Sequence, residues 1–181
     1  MLDWWKNRRS LEQTATEIYG ATVARARNPA FYEVCGVSDT PEGRFELIIL
    51  YMSLVLERLR PAEDAQMAMQ RRVVEAFVTD MDDNMRELGV GDLTVPKKVK
   101  RATAGLMERM DQYRIALAAT DESNLQAALE ANFPEIAGNP AGLALLARSI
   151  RADVRHLAKL TDNAVMQGKM SFSEEPVEPK G

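Results

Sequence analysis

The chain has 181 residues and a formal net charge of −4, with 46% apolar and 6% aromatic residues. That is enough for one domain with a real core, and the charge excludes a protein that coats nucleic acid by bulk attraction. A single Cys (Cys35) and a single His (His156) exclude a disulfide framework and any zinc site built from Cys and His within one chain.

Punctuation and periodicity predict helices almost throughout, and no long stretch alternates with period two. The N-terminus, Met1-Leu2-Asp3-Trp4-Trp5-Lys6, lacks the plan of a signal peptide, so a soluble protein of a reducing compartment, the cytoplasm, is expected. Trp4 and Trp5, with Lys6, Arg8 and Arg9, suit either a membrane interface or packing on the bundle. A first helix is expected over 10–27. Asn28 and Pro29 then cap and open a short helix that Gly36 ends, and Thr40 and Pro41 repeat the device. The run Phe45–Leu56 is the most apolar of the chain. It spans twelve residues against the roughly 20 that a bilayer demands, so it reads as a buried core helix ending near Arg60 and Pro61.

The next helix, 62–88, carries Met67, Val74, Phe77, Val78, Met81, Met85 and Leu88 as an expected apolar stripe. Gly89 takes the position of a left-handed helix stop. After a short loop, Thr94, Val95 and Pro96 open a helix to about Ala119. Asp121 caps a short one, and Asn139 with Pro140 caps a last long helix to about Met166. From Ser171 the Glu- and Pro-rich tail is expected to be disordered. The reading is an all-α single bundle of about six or seven helices with a disordered acidic tail: an N-terminal extension (1–30), a helical domain (30–168) and the tail (169–181).

Four features invite a functional reading. Asp80, Asp82, Asp83 and Glu87 form an acidic cluster. With no Glu-x-x-His pair nearby it reads as a solvated or docking face, and no metal is expected. Lys97, Lys98, Lys100 and Arg101 stand in the first turns of a helix, where positive charge opposes the macrodipole. They suit an anionic partner (RNA phosphate or acidic lipid) or pairing with the acidic helix. Arg148, Arg151, Arg155 and Lys159 fall within about 80° of arc as a second basic stripe, open to solvent, a ribosome or a membrane. Met is frequent, at ten residues, and Met81, Met85, Met107 and Met110 flank the loop at Gly89, as gap-fillers or as a groove for an apolar partner. His156 and Cys35 are expected to be structural.

One stretch is specific: Asp80-Met81-Asp82-Asp83-Asn84-Met85-Arg86-Glu87-Leu88-Gly89-Val90-Gly91-Asp92-Leu93-Thr94-Val95-Pro96-Lys97. It resembles the pattern D-M-D-x-x-L-R-E-x-G-V-G-D-L-x-V-P-K of bacterial members of the ubiquinol–cytochrome c chaperone family, with Met85 in place of Leu. The entry Phe45-Glu46-Leu47 and the end Arg58-Leu59-Arg60 of the apolar helix are similar too. The resemblance spans about 30–165. One departure is Leu106-Met107-Glu108, where an aromatic-aromatic-Gly step is expected, which suggests a straighter helix. The resemblance implies a chaperone and no enzyme, needing no cofactor. Its partner would be newly made cytochrome b of the bc1 complex, with ribosome or membrane contact and no DNA. In the motif, Gly89 stops a helix, Gly91 lets the loop turn, Asp92 bonds loop amides and Pro96 restarts a helix. Met81, Met85, Leu88, Val90, Leu93 and Val95 are then expected to form the client-binding corner, framed by Asp80, Asp82, Arg86, Glu87, Gly89, Gly91, Asp92, Pro96 and Lys97. Two other readings are a helical adaptor with no cytochrome b client and a haem-handling protein using a Met, His156 or Cys35 as axial ligand.

Overall fold

The computed structural model describes residues 2–60, 63–175 and 177, with side chains from residue 10. The expectations for Trp4, Trp5, Lys6, Arg8 and Arg9 as side chains, and for Pro61, lie outside the described residues. The described residues contain no strand. The helices are α1 (Leu2–Ala26), α2 (Pro29–Glu33), α3 (Pro41–Arg58), α4 (Asp64–Glu87), α5 (Val95–Ala118), α6 (Glu122–Asn132), α7 (Pro140–Lys159) and α8 (Asp162–Met166). A 3-10 turn, Pro134–Ile136, joins α6 to α7. Six of these exceed ten residues, which matches the expected bundle.

The predicted caps hold. The Asn28 side chain accepts from Ala30 N–H, Thr40 from Gly43, Asp121 from Ser123 and Asn139 from Gly142. Each satisfies an amide that the first turn leaves without a helical partner.

Every residue from Leu47 to Leu56 is buried, so α3 is apolar on all sides and forms the centre of the bundle. It packs on α1, α5 and α7, while α4 packs chiefly on α1. Arg58 closes the end of α3. Its guanidinium donates to the carbonyls of Leu157 (2.9 Å) and Leu160 (2.6 Å) and pairs with Asp162 at 2.8 Å. A cation thus meets the open carbonyls at the C-terminus of α7.

Three expectations need correction. The last long helix does not run unbroken to Met166. Leu160 is extended, and Thr161 caps the separate α8 by accepting from Ala164 N–H at 3.2 Å. The buried face of α4 is Met69, Val73, Phe77 and Met81, four residues spaced by four, whereas Met67 and Leu88 are exposed. Leu88 sits at the C-cap, beyond the last turn that packs. Finally, part of the segment after residue 169 is held on the bundle. Met170, Ser173 and Val177 are buried, and Phe172 meets the Tyr51 ring edge-on at 5.5 Å. A few apolar anchors and a backbone hydrogen bond from Ser173 N–H to Asp153 (2.8 Å) hold a segment whose composition alone predicts disorder.

Candidate functional site

Helices α4 and α5 form a hairpin whose tip is the family-like motif. At its start the chain makes a Schellman stop: Val90 N–H donates to Met85 O at 3.0 Å and Gly89 N–H to Arg86 O at 2.9 Å. Gly89 has φ +74°, which a side chain resists. Thr94 and Val95 N–H both return to Gly91 O, at 2.7 and 3.2 Å. The loop is therefore fixed by its own backbone.

The six expected client-contact residues divide. Met81 and Val95 are buried and belong to the packing of the hairpin. Met85 and Val90 are half-buried. Leu88 and Leu93 are exposed, at 78% and 92%.

The charged residues of the motif are used locally. Arg86 pairs with Asp82 at 2.6 Å and with Asp92, so Asp92 braces the loop through Arg86, where a bond to loop amides is the expectation. Asp80 accepts a hydrogen bond from Tyr19 Oη at 2.6 Å and so ties α4 to α1. Burial and that neighbouring carboxylate push the Tyr19 phenol well up. Asp83 and Glu87 are exposed, as a solvated face requires. Lys97, Lys98, Lys100 and Arg101 are also exposed, and among the described residues none forms an ion pair. The expected pairing with the acidic helix is thus not made.

The second basic stripe is less open than its spacing suggests. Arg148 and Arg151 are half-buried, and Arg155 reaches Glu175 at 3.9 Å. Lys159 is exposed. Two nitrogens of Arg151 are buried without a hydrogen-bond partner.

Lower on the same hairpin lies a groove of about 390 Å³, lined by Leu56, Gln70, Arg71, Val74, Glu75, Met107 and Met110. Helix α4 packs chiefly on α1 and α5 chiefly on α3, and the groove lies between the two helices of the hairpin. Gln70 donates to the Leu56 carbonyl at 3.0 Å and holds the floor to α4. Met107 is 44% exposed, and Met67 and Ile115 remain exposed further from the tip. The departure at Leu106-Met107-Glu108 acquires a meaning: Leu106 is buried and Met107 faces the groove, on a helix uninterrupted from Val95 to Ala118. Thioether side chains repack around irregular apolar surfaces.

Cys35 is buried, and burial pushes its thiol up to about 11, partly offset by Arg148. His156 Nε2 lies 2.9 Å from Ser171 Oγ and pins the C-terminal segment. Cys35 thus packs in the core, and His156 tethers the segment that follows α8. Sequence reasoning missed the central polar network. Asp153 is fully buried and accepts hydrogen bonds from Tyr51 Oη (2.7 Å), Arg25 Nε (3.0 Å) and Ser173 N–H (2.8 Å). The available signal was a carboxylate three residues after Ile150 and four before Leu157, on the buried side of α7. Among the described residues no cluster of His, Cys, Asp and Glu could hold a metal ion. No described helix is long and apolar enough to cross a membrane.

A comparison with curated proteins finds no match. The crystal structure of the Cbp3 homolog from Brucella abortus is similar, with a TM-score of 0.83 at 30% sequence identity over 96% of each chain. The family model for the ubiquinol-cytochrome C chaperone matches residues 33–172, which covers the central helix, the hairpin with its motif and the groove, and α7. By that match and by the fold it shares, the chain belongs to the ubiquinol-cytochrome C chaperone family.

Proposed function

We propose that this chain is a non-enzymatic assembly chaperone of the bc1 complex, with an apolar segment of newly made cytochrome b as its client. The groove between α4 and α5 is the proposed seat. Family membership supports the role, and the observation that carries the seat is the groove itself: a concavity of about 390 Å³ with Val74, Met107 and Met110 at its walls and Leu56 at its floor. An apolar segment gains by leaving water, and Met-lined walls accept different side-chain shapes without a fixed fit. The expected corner at the tip contributes less, because Met81 and Val95 are already spent in the core. The proposed place of action is the cytoplasmic face of the membrane that receives the client.

Deletion of the gene, followed by a reduced-minus-oxidised spectrum of the membranes, tests the role. Loss of the haem-b signal is expected, and normal cytochrome b overturns the reading. Complementation with Val74→Asp and Met107→Asp tests the seat. Both positions are partly exposed, so the fold should survive while cytochrome b stays low. Full rescue by the folded double variant moves the client elsewhere.

A further inference from the structure

The tip of the hairpin has a property that a client groove does not require. Leu88 and Leu93 are the most exposed large apolar side chains of the described residues, and they flank a loop fixed by its own hydrogen bonds. Immediately beyond Pro96 stand Lys97, Lys98, Lys100 and Arg101, exposed and without ion pairs among the described residues. Placed at the N-terminus of α5, this charge opposes the helix dipole, so nothing within the fold rewards it. On the α4 side, Arg86 is shared between Asp82 and Asp92 and Asp80 is held by Tyr19, while Asp83, Glu87 and Asp92 are exposed, so the exposed acids lie on α4 and the loop and the free cations on α5.

We infer that this tip docks the protein on an anionic lipid bilayer, with Leu88 and Leu93 entering the interface and the basic residues of α5 meeting acidic headgroups. The pairing of exposed apolar side chains with adjacent unpaired cations is the chemistry of an interfacial anchor. RNA phosphate would reward the cations and leave both leucines in water, whereas a bilayer takes both. The chain as a whole is negative, so attraction to such a surface has to come from this local cluster. A loop that is already rigid also loses little conformational freedom on insertion.

The test uses the purified full-length chain and vesicles, with no cytochrome b present, so its outcome is independent of the client proposal. Flotation is compared on phosphatidylcholine vesicles with and without phosphatidylglycerol. Binding is expected only with the anionic lipid, and it should weaken as salt is added. Leu88→Ser with Leu93→Ser, and separately Lys97→Glu with Lys98→Glu and Lys100→Glu, are each expected to lower the partition coefficient by about tenfold or more. All five sites are exposed, and circular dichroism checks that the fold is kept. Leu93→Cys carrying an environment-sensitive dye should shift to the blue on vesicles. Cys35, buried with a raised thiol pKa, stays unlabelled. No binding of the wild-type chain, or unchanged binding of the leucine variant with no dye shift, overturns the inference. So does tight binding to single-stranded RNA that the lysine variant loses while vesicles are ignored.

Discussion

Arg25 and Asp153 stand 128 residues apart in sequence, yet the guanidinium lies 2.9 Å from the buried carboxylate. The same Arg25 lies over the rings of Phe31 (5.2 Å) and Tyr51 (5.9 Å) and donates to Ser149 Oγ at 3.1 Å. One ion pair therefore joins α1, α3 and α7, and the remaining Asp153 oxygen receives the C-terminal segment through Ser173.

Removal of one partner of a buried pair leaves the other charge uncompensated. Asp153→Ala is expected to lower unfolding free energy by about 3–5 kcal/mol in urea titrations. It should also free the segment after Gly168, read as faster proteolytic clipping there under conditions where the bundle stays folded. Equal stability of variant and parent would remove the pair from the centre of the fold's energetics.

Two helical glycines should respond in opposite ways to alanine. At Gly142 a Cβ would sit 2.1 Å from the Cys35 carbonyl oxygen, so the backbone of α2's end has to move. Gly142→Ala is expected to cost about 1–3 kcal/mol. At Gly105 a Cβ meets nothing within 4 Å, and Gly105→Ala should stabilise α5 by about 0.5–1 kcal/mol. Thermal denaturation of both variants checks the signs.

Cys35 provides a test of burial by titration. Its thiol is shifted from an ordinary 9.0 to about 11 because burial disfavours the thiolate. A folded pKa above the unfolded one means a contribution that is whole below pH 9 and lost as pH rises through 11. Stability relative to Cys35→Ala should fall across that window and stay level below it. At pH 8 a thiol reagent should label no Cys35 in the native protein and all of it in urea.

The groove and the tip, finally, should separate. Val74→Asp with Met107→Asp is expected to lower membrane haem b while leaving vesicle flotation unchanged. The Leu88→Ser, Leu93→Ser protein should retain capture of a detergent-solubilised cytochrome b segment in a pull-down. Parallel losses in both assays would merge the two surfaces into one.

Much of this protein is local and so legible in its sequence. Asn28, Thr40, Asp121 and Asn139 cap helices because a short polar side chain reaches an amide two or three residues away, whatever the rest of the chain does. Gly89 stops α4 because it tolerates a left-handed backbone, and the apolar run of α3 is buried because it has no polar side to expose. The family is legible for the same reason, since its motif is a contiguous turn. What only the tertiary structure decided depends on distant groups meeting. Asp153 finds Arg25 and Tyr51. The tail finds a seat that its composition does not advertise. Arg86 takes Asp82 and Asp92, and the lysines at the start of α5 form no ion pair among the described residues. The Met-rich surface is the clearest case: the packing of α4 and α5 on their neighbours assigns Met81 to the core and Met107 and Met110 to the groove. No periodicity carries that division, because it is set by which neighbour each helix leans on.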